Sequence, residues 1–276
     1  VPKRPGVSRR PEFVAELRAL GAPPRLAGRL YAFLEERHPG DQERIYHGLA
    51  HTCEVAGLTA RLMRQWPNVP ADRKILMILA AALHDVDPKR APNTPARVKG
   101  TLALLANDAQ ARRLVAGFTS RFGFTRQQVS ALILATDYSP HPDEMREKLS
   151  TFERARRAAF GDDPWVAEWG RRLAYWDKIA TYLGPLERTR RRVAGLAREF
   201  RSRGIRPPSG MRAESRRFLL ELRIDPLFEY LPAADRARFD AVIADFSSGG
   251  GPERPAARGA RRAGRPARAK VRARRA

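Results

Sequence analysis

Apolar residues in this chain return at intervals of three and four, and proline or glycine stands between the runs and rarely inside them. That spacing is the period of an amphipathic helix, and no stretch shows the strict alternation of a half-buried strand. The chain is therefore expected to be all-α. Pro23-Pro24 opens a run that places Leu26, Leu30, Phe33 and Leu34 on one face. Residues 42–66 read as one long helix, with Ile45, Leu49, Val55, Leu58 and Leu62 near helical spacing and Pro67 as its stop. Residues 75–83, ILMILAAAL, are the most apolar run and are much too short to span a bilayer. Thr94 before Pro95, Thr125, and Asp163 before Pro164 have the chemistry of helix N-caps. Further helices are expected over residues 143–160, 164–183, 185–200, 212–222 and 232–246.

Hydrophobic residues fill 43% of the 276 positions, enough for a sizeable core. The formal net charge of +23 excludes an acidic scaffold and favours anionic partners. Much of that charge is terminal. Residues 247–276 carry ten Lys or Arg against one acid, with no aromatic residue and Val271 as the one large aliphatic. Such a segment buries too little surface to offset its ordering entropy, so a disordered basic tail is expected there. Its expected partner is nucleic acid, held non-specifically and in a salt-sensitive way. Residues 1–10 read as a shorter disordered basic segment, which leaves 11–246 as a single helical domain. One cysteine, Cys53, excludes an intramolecular disulfide and a Cys-rich zinc module. With no apolar leader in residues 1–10 and no membrane-length run, the expected location is cytoplasmic.

The chemistry-bearing residues are few. His47 and His51 are four residues apart within the expected long helix, which would put both on one face. His84-Asp85 closes the most apolar run. Burying an imidazole and a carboxylate together calls for partners or a cation. Asp177 interrupts a helix face rich in Leu173, Tyr175, Trp176, Ile179 and Ala180, and asks for a counter-charge in the same way. Two imidazoles and two carboxylates form a mixed N/O ligand set suited to a divalent ion: Mn, Fe, Co, Ni, Zn or Mg. Such an ion polarises a phosphoryl oxygen and lowers the pKa of water.

The order of the motifs is more specific than their spacing. Tyr46-His47-Gly48-Leu49-Ala50-His51 comes first, then Ala81-Ala82-Leu83-His84-Asp85-Val86-Asp87. Leu134-Ala135-Thr136-Asp137-Tyr138-Ser139-Pro140-His141 follows, and Tyr175-Trp176-Asp177-Lys178 comes last. This succession resembles the HD superfamily of metal-dependent phosphohydrolases. Its wording is closest to the class I cyclic-nucleotide phosphodiesterases. The resemblance covers roughly residues 45–180. It implies an HD-type helical domain in which His51, His84, Asp85 and Asp177 hold the metal. It further implies that His47 protonates the leaving oxygen, that Thr136 touches water at the metal, and that Lys178 lies near the substrate phosphate. Asp137 and His141 are expected beside the site. Gly48 and Pro88 replace an Asn and a second His of the phosphodiesterase pattern, and no Gln follows Gln128 to clamp a purine.

The implied function is hydrolysis of a small phosphate ester, nucleotide or cyclic nucleotide, by metal-activated water. The rival expectation is a nucleic-acid-binding protein with a degenerate HD core and the basic tail. Trp165, Trp169 and Trp176 read as packing residues, Cys53 as a small core residue and residues 188–192 as a solvated basic face. His38 is assigned no role.

Overall fold

The computed structural model describes residues 10–38, 46–86, 95–137, 142–202 and 211–248. The regular structure of these residues is all helical, with no strand among them. The twelve α-helices are α1 (Arg10–Ala19), α2 (Pro24–Arg37), α3 (Leu49–Met63), α4 (Ala71–Leu83), α5 (Pro95–Asn107), α6 (Ala109–Phe122), α7 (Arg126–Ala135), α8 (Pro142–Phe160), α9 (Pro164–Ala180), α10 (Leu186–Ser202), α11 (Met211–Ile224) and α12 (Ala233–Ser247). A short 3-10 helix, Pro226–Tyr230, links the last two. None of these helices is long and apolar enough to cross a membrane. Most of the basic tail expected over 247–276, residues 1–9, Thr94, Pro88 and His141 lie outside the described residues.

The most apolar helix lies at the centre. Every residue of α4 from Ile75 to Leu83 is buried. A helix apolar on all sides must be covered on all sides; α3, α7 and α9 pack around α4. Burial contributes roughly 1.5–3 kcal/mol for each Ile, Leu or Met side chain in it. Around this centre, α1 and α2 pack against each other, and α2 also packs on α6. At the far end α10, α11 and α12 pack together.

The caps follow from sequence chemistry. Thr125 and Gln128 form a reciprocal capping box at the start of α7. Asp163 accepts the Trp165 N–H at the start of α9. Two helices not expected from the sequence also have ordinary end signals or spacing. Asp108 caps α6, and Gly123, at φ 75°, closes it in the left-handed region. The 10-residue α1 buries Leu17.

One expectation fails in a way that matters for the site. Residues 42–66 are not one helix: Tyr46, His47 and Gly48 form a bend, and α3 begins at Leu49. Gly48 is the cap residue, extended at φ −85° and ψ −176°. The apolar period continues through the bend because these residues are buried without being helical. His47 therefore stands ahead of the helix that carries His51, and the shared-face argument does not apply. Residues 188–192 are also not uniformly a solvated face. Arg192 is buried, donates to the Tyr46 carbonyl and pairs with Glu54.

The tryptophans pack. Trp66, Trp169 and Tyr230 surround the Arg172 guanidinium at 4.8, 4.9 and 4.4 Å from their ring centres. A desolvated contact of this kind contributes about 2 kcal/mol. The approach of α9 to α7 and α8 depends on Gly170. A Cβ there would stand 2.6 Å from Phe152 Cζ and 3.2 Å from Ala135 Cβ. Ala is the better helix former by about 1 kcal/mol, but the clash acts against it. Gly170→Ala is expected to destabilise the protein by roughly 1–3 kcal/mol, the usual cost of overpacking. Urea unfolding checks this, and an unchanged or higher midpoint would show that α9 can shift without loss.

Candidate metal centre

His84 is the C-cap of α4. Its Nδ1 lies 2.7 Å from the Ala81 carbonyl oxygen. A carbonyl only accepts, so Nδ1 carries the hydrogen, and this bond satisfies one of the open carbonyls at the helix end. In the neutral ring the lone pair is then on Nε2. The Thr101 hydroxyl donates to the His84 carbonyl at 3.3 Å and pins the backbone there. Asp85 follows, fully buried, with Oδ2 4.0 Å from His84 Nε2.

His51 arrives from the first turn of α3. Its Nδ1 lies 3.3 Å from the Thr181 hydroxyl, and its ring stands 5.6 Å from that of His84, centre to centre. Ligand atoms of His51, His84 and Asp85 all lie within 4.8 Å of one another, and all three residues are buried. This cluster can hold a metal ion.

Asp177 reaches the same place from the last turn of α9. Its Oδ1 is 3.1 Å from His51 Nε2 and 3.0 Å from His84 Nε2. A carboxylate near a helix C-terminus works against the helix dipole, so its position needs positive charge nearby. Burial pushes the Asp177 carboxyl up, yet the His84 and His51 imidazoles override that and hold it well below the usual carboxylate range. The donors of the three-residue cluster, two imidazole nitrogens and the Asp85 carboxylate, are hard to borderline in character and suit a divalent cation, and Asp177 stands against both imidazoles. Bonds near 2.0–2.2 Å at right angles place neighbouring ligand atoms about 3 Å apart; Asp177 Oδ1 stands at that separation from both Nε2 atoms, and Asp85 Oδ2 stands wider, 4.0 Å from His84 Nε2.

His47 is buried beside this group, its ring 5.9 Å from that of His51. Its Nδ1 lies 2.8 Å from Glu199 Oε2. The other carboxylate oxygen, Oε1, accepts the His47 backbone N–H at 3.0 Å and the Tyr46 backbone N–H. Burial raises the Glu199 carboxyl, but these donors bring it below the ordinary value. An ionised carboxylate only accepts, so His47 Nδ1 carries its hydrogen and Nε2 is left as the nitrogen that can exchange a proton.

Glu199 is the residue that sequence reasoning missed. It sits 152 residues from His47. Its one signal was position: it lies on α10 seven residues after Arg192, on the stripe that includes Thr189, and all three are buried. Tyr46 completes the wall, with its ring 5.3 Å from that of His51. Burial pushes the Tyr46 hydroxyl up to about 12 against hydrogen bonds to Thr181 and Tyr182.

The remaining expected residues lie as follows. Thr136 is buried and donates to the Ile133 carbonyl at 2.8 Å. Asp137 pairs with Lys148 of α8 at 2.5 Å. Lys178 is largely buried, which lowers its pKa, and its acidic neighbours are Asp177, Asp225 and Glu221. Being one residue past Asp177, it is turned about 100° around α9, on the stripe of Arg171 and Tyr175, whose partners are Asp225 and the Leu222 carbonyl. Cys53 is a buried core residue. His38 caps α2 and lies 3.4 Å from the Thr52 hydroxyl.

No protein-family model matches the chain, and no curated protein matches it either.

Proposed function

We propose that this chain is an HD-type metal-dependent phosphohydrolase that cleaves a small, nucleotide-like phosphate ester by attack of water at phosphorus. The observation that carries the reading is the cluster itself. His51, His84, Asp85 and Asp177 come from three separate stretches of chain, and Asp177 Oδ1 stands about equally far from both imidazoles. A divalent cation, when bound by these four residues, supplies a Lewis acid for the phosphoryl oxygen and lowers the pKa of water. The chain's own groups supply the remainder. His47, held by Glu199, delivers a proton from Nε2 to the leaving oxygen. Glu199 favours the charged imidazole before transfer and keeps the proton-bearing nitrogens in order. Burial of the cluster strengthens each of these electrostatic interactions. The basic body steers an anionic substrate toward the protein.

The test is metal analysis of the purified full chain, followed by a phosphate-ester panel. The panel holds nitrophenyl mono- and diesters and cyclic adenine and guanine nucleotides, each with Mn, Fe, Co, Ni, Zn or Mg. Turnover is expected to require one or more of these ions and to stop with a chelator. No residue has been identified to clamp a base, so adenine and guanine compounds should react at similar rates; a site that hydrogen-bonds one base rejects the other strongly. Absence of bound metal together with absence of hydrolysis across the panel would return the chain to the rival reading, a nucleic-acid-binding scaffold.

A further inference from the structure

Most arginines on this body are tied to acids. Arg37 pairs with Asp108, Arg61 with Asp235, Arg73 with Asp163, Arg190 with Asp245 and Arg223 with Asp240. Several of the exceptions gather in one region. A groove of about 410 Å³ runs along α6 to the start of α7, with Arg112, Arg113 and Arg126 on its walls and Val115, Ala116 and Thr119 among its lining. The three arginines are exposed, and none of their guanidiniums has an ion-pair or hydrogen-bond partner among the described residues. Arg121 on α6, and Arg25 and Arg29 on the adjacent α2, are likewise exposed and without an acid partner among those residues.

The placement is unfavourable for the free protein. Arg112 ends the first turn of α6, Arg113 follows it, and Arg126 is the first residue of α7. Cations at helix N-termini oppose the dipole, at a cost of a few tenths to about 1 kcal/mol each. The nearby acid that could relieve them, Asp108, is engaged by Arg37 at 2.7 Å and by the Ala111 N–H. Three uncompensated guanidiniums on one concave surface form a positive potential that an anion would neutralise. Guanidinium is the group of choice for phosphate. No aromatic ring lines the groove to stack a base, so charge is its means of recognition.

We infer that this groove binds the phosphate backbone of a single nucleic-acid strand, without reading its sequence. It lies on α6 and α7 and shares no residue with the histidine cluster.

The test is a salt titration of strand binding by the full chain. The probe is fluorescein-labelled single-stranded DNA of mixed sequence. Each phosphate contact contributes about 0.7 to the slope of log K against log salt. The variant R112A/R113A/R126A should lower that slope by about 2 and weaken binding equally for unrelated sequences. A control, R190A/R191A/R217A, removes the same formal charge from arginines that do have acid partners and should leave the slope nearly unchanged. All six side chains are exposed, and matched melting curves confirm that both variants fold. If the first variant keeps the wild-type slope, or the control lowers it equally, the attraction belongs to the chain's overall charge and the inference fails. Saturable binding of tripolyphosphate with no binding of the strand would also overturn it.

Discussion

On the proposed function, Asp177→Ala is expected to strip the protein of its metal at ordinary metal concentrations. The substitution removes a formal negative charge that two imidazole nitrogens contact at 3.0 and 3.1 Å. Loss of a supporting group around a metal typically costs 10–100-fold in affinity, so loss of a ligand should cost at least about a hundredfold. Hydrolysis should fall in parallel and return partly with excess metal. A second readout does not depend on activity. A ligand that binds only the folded state stabilises it by about 2.7 kcal/mol at a hundred times its dissociation constant. Saturating metal should therefore raise the unfolding midpoint of the wild type and leave that of Asp177→Ala almost unmoved. An equal metal-induced rise in both proteins would show that Asp177 is a structural partner of the histidines and that the cation, if one binds, is held elsewhere.

His47→Ala and Glu199→Gln should fail differently. Both are expected to retain the metal-induced rise in midpoint, because His47 is proposed to act on the leaving group. His47→Ala should lose roughly 10²–10⁴ in turnover, the usual contribution of a positioned acid. The loss should shrink for a nitrophenolate leaving group, which departs without a proton. Glu199→Gln is the finer probe. Its single oxygen can accept from the Tyr46 and His47 backbone N–H groups, but its amide then faces His47 Nδ1 as a donor. The ring must answer with its other tautomer, which moves the hydrogen to Nε2 and removes the stabilised imidazolium. A loss of similar order is expected, with the unfolding midpoint measured alongside because a buried carboxylate is being changed. If Glu199→Gln lowers the midpoint but leaves turnover and its pH profile intact, Glu199 supports the bend and nothing more. If His47→Ala strips the metal as completely as Asp177→Ala, His47 is a ligand.

Local chemistry was legible at several helix starts, though the equally local Asp108 and Gly123 signals of α6 went unread. Thr125 with Gln128 and Asp163 before Pro164 each set a helix start within a few residues of chain. The uniform apolar character of residues 75–83 could only be satisfied by full enclosure, and α4 is enclosed. The bend at residues 46–48 was not legible. Its backbone N–H groups are satisfied by a carboxylate on α10 rather than by a helical turn, and nothing in the neighbouring residues announces that exchange. At residues 46–48 the apolar period reported burial correctly and helix incorrectly, because both produce the same pattern over a short interval.

The sequence alone therefore determined that the chain is helical, where most helices begin, and which few imidazoles and carboxylates had no ordinary reason to be apolar neighbours. Tertiary structure decided which of them meet. His51 and Asp177 are 126 residues apart, and their contact depends on α3 and α9 packing on the same central helix. The Glu199 contact with His47, the close approach allowed by Gly170, and the uncompensated arginines beside α6 are of the same kind. Each is a relation between side chains that burial and charge pairing create only when distant helices pack, so no local pattern of residues encodes it.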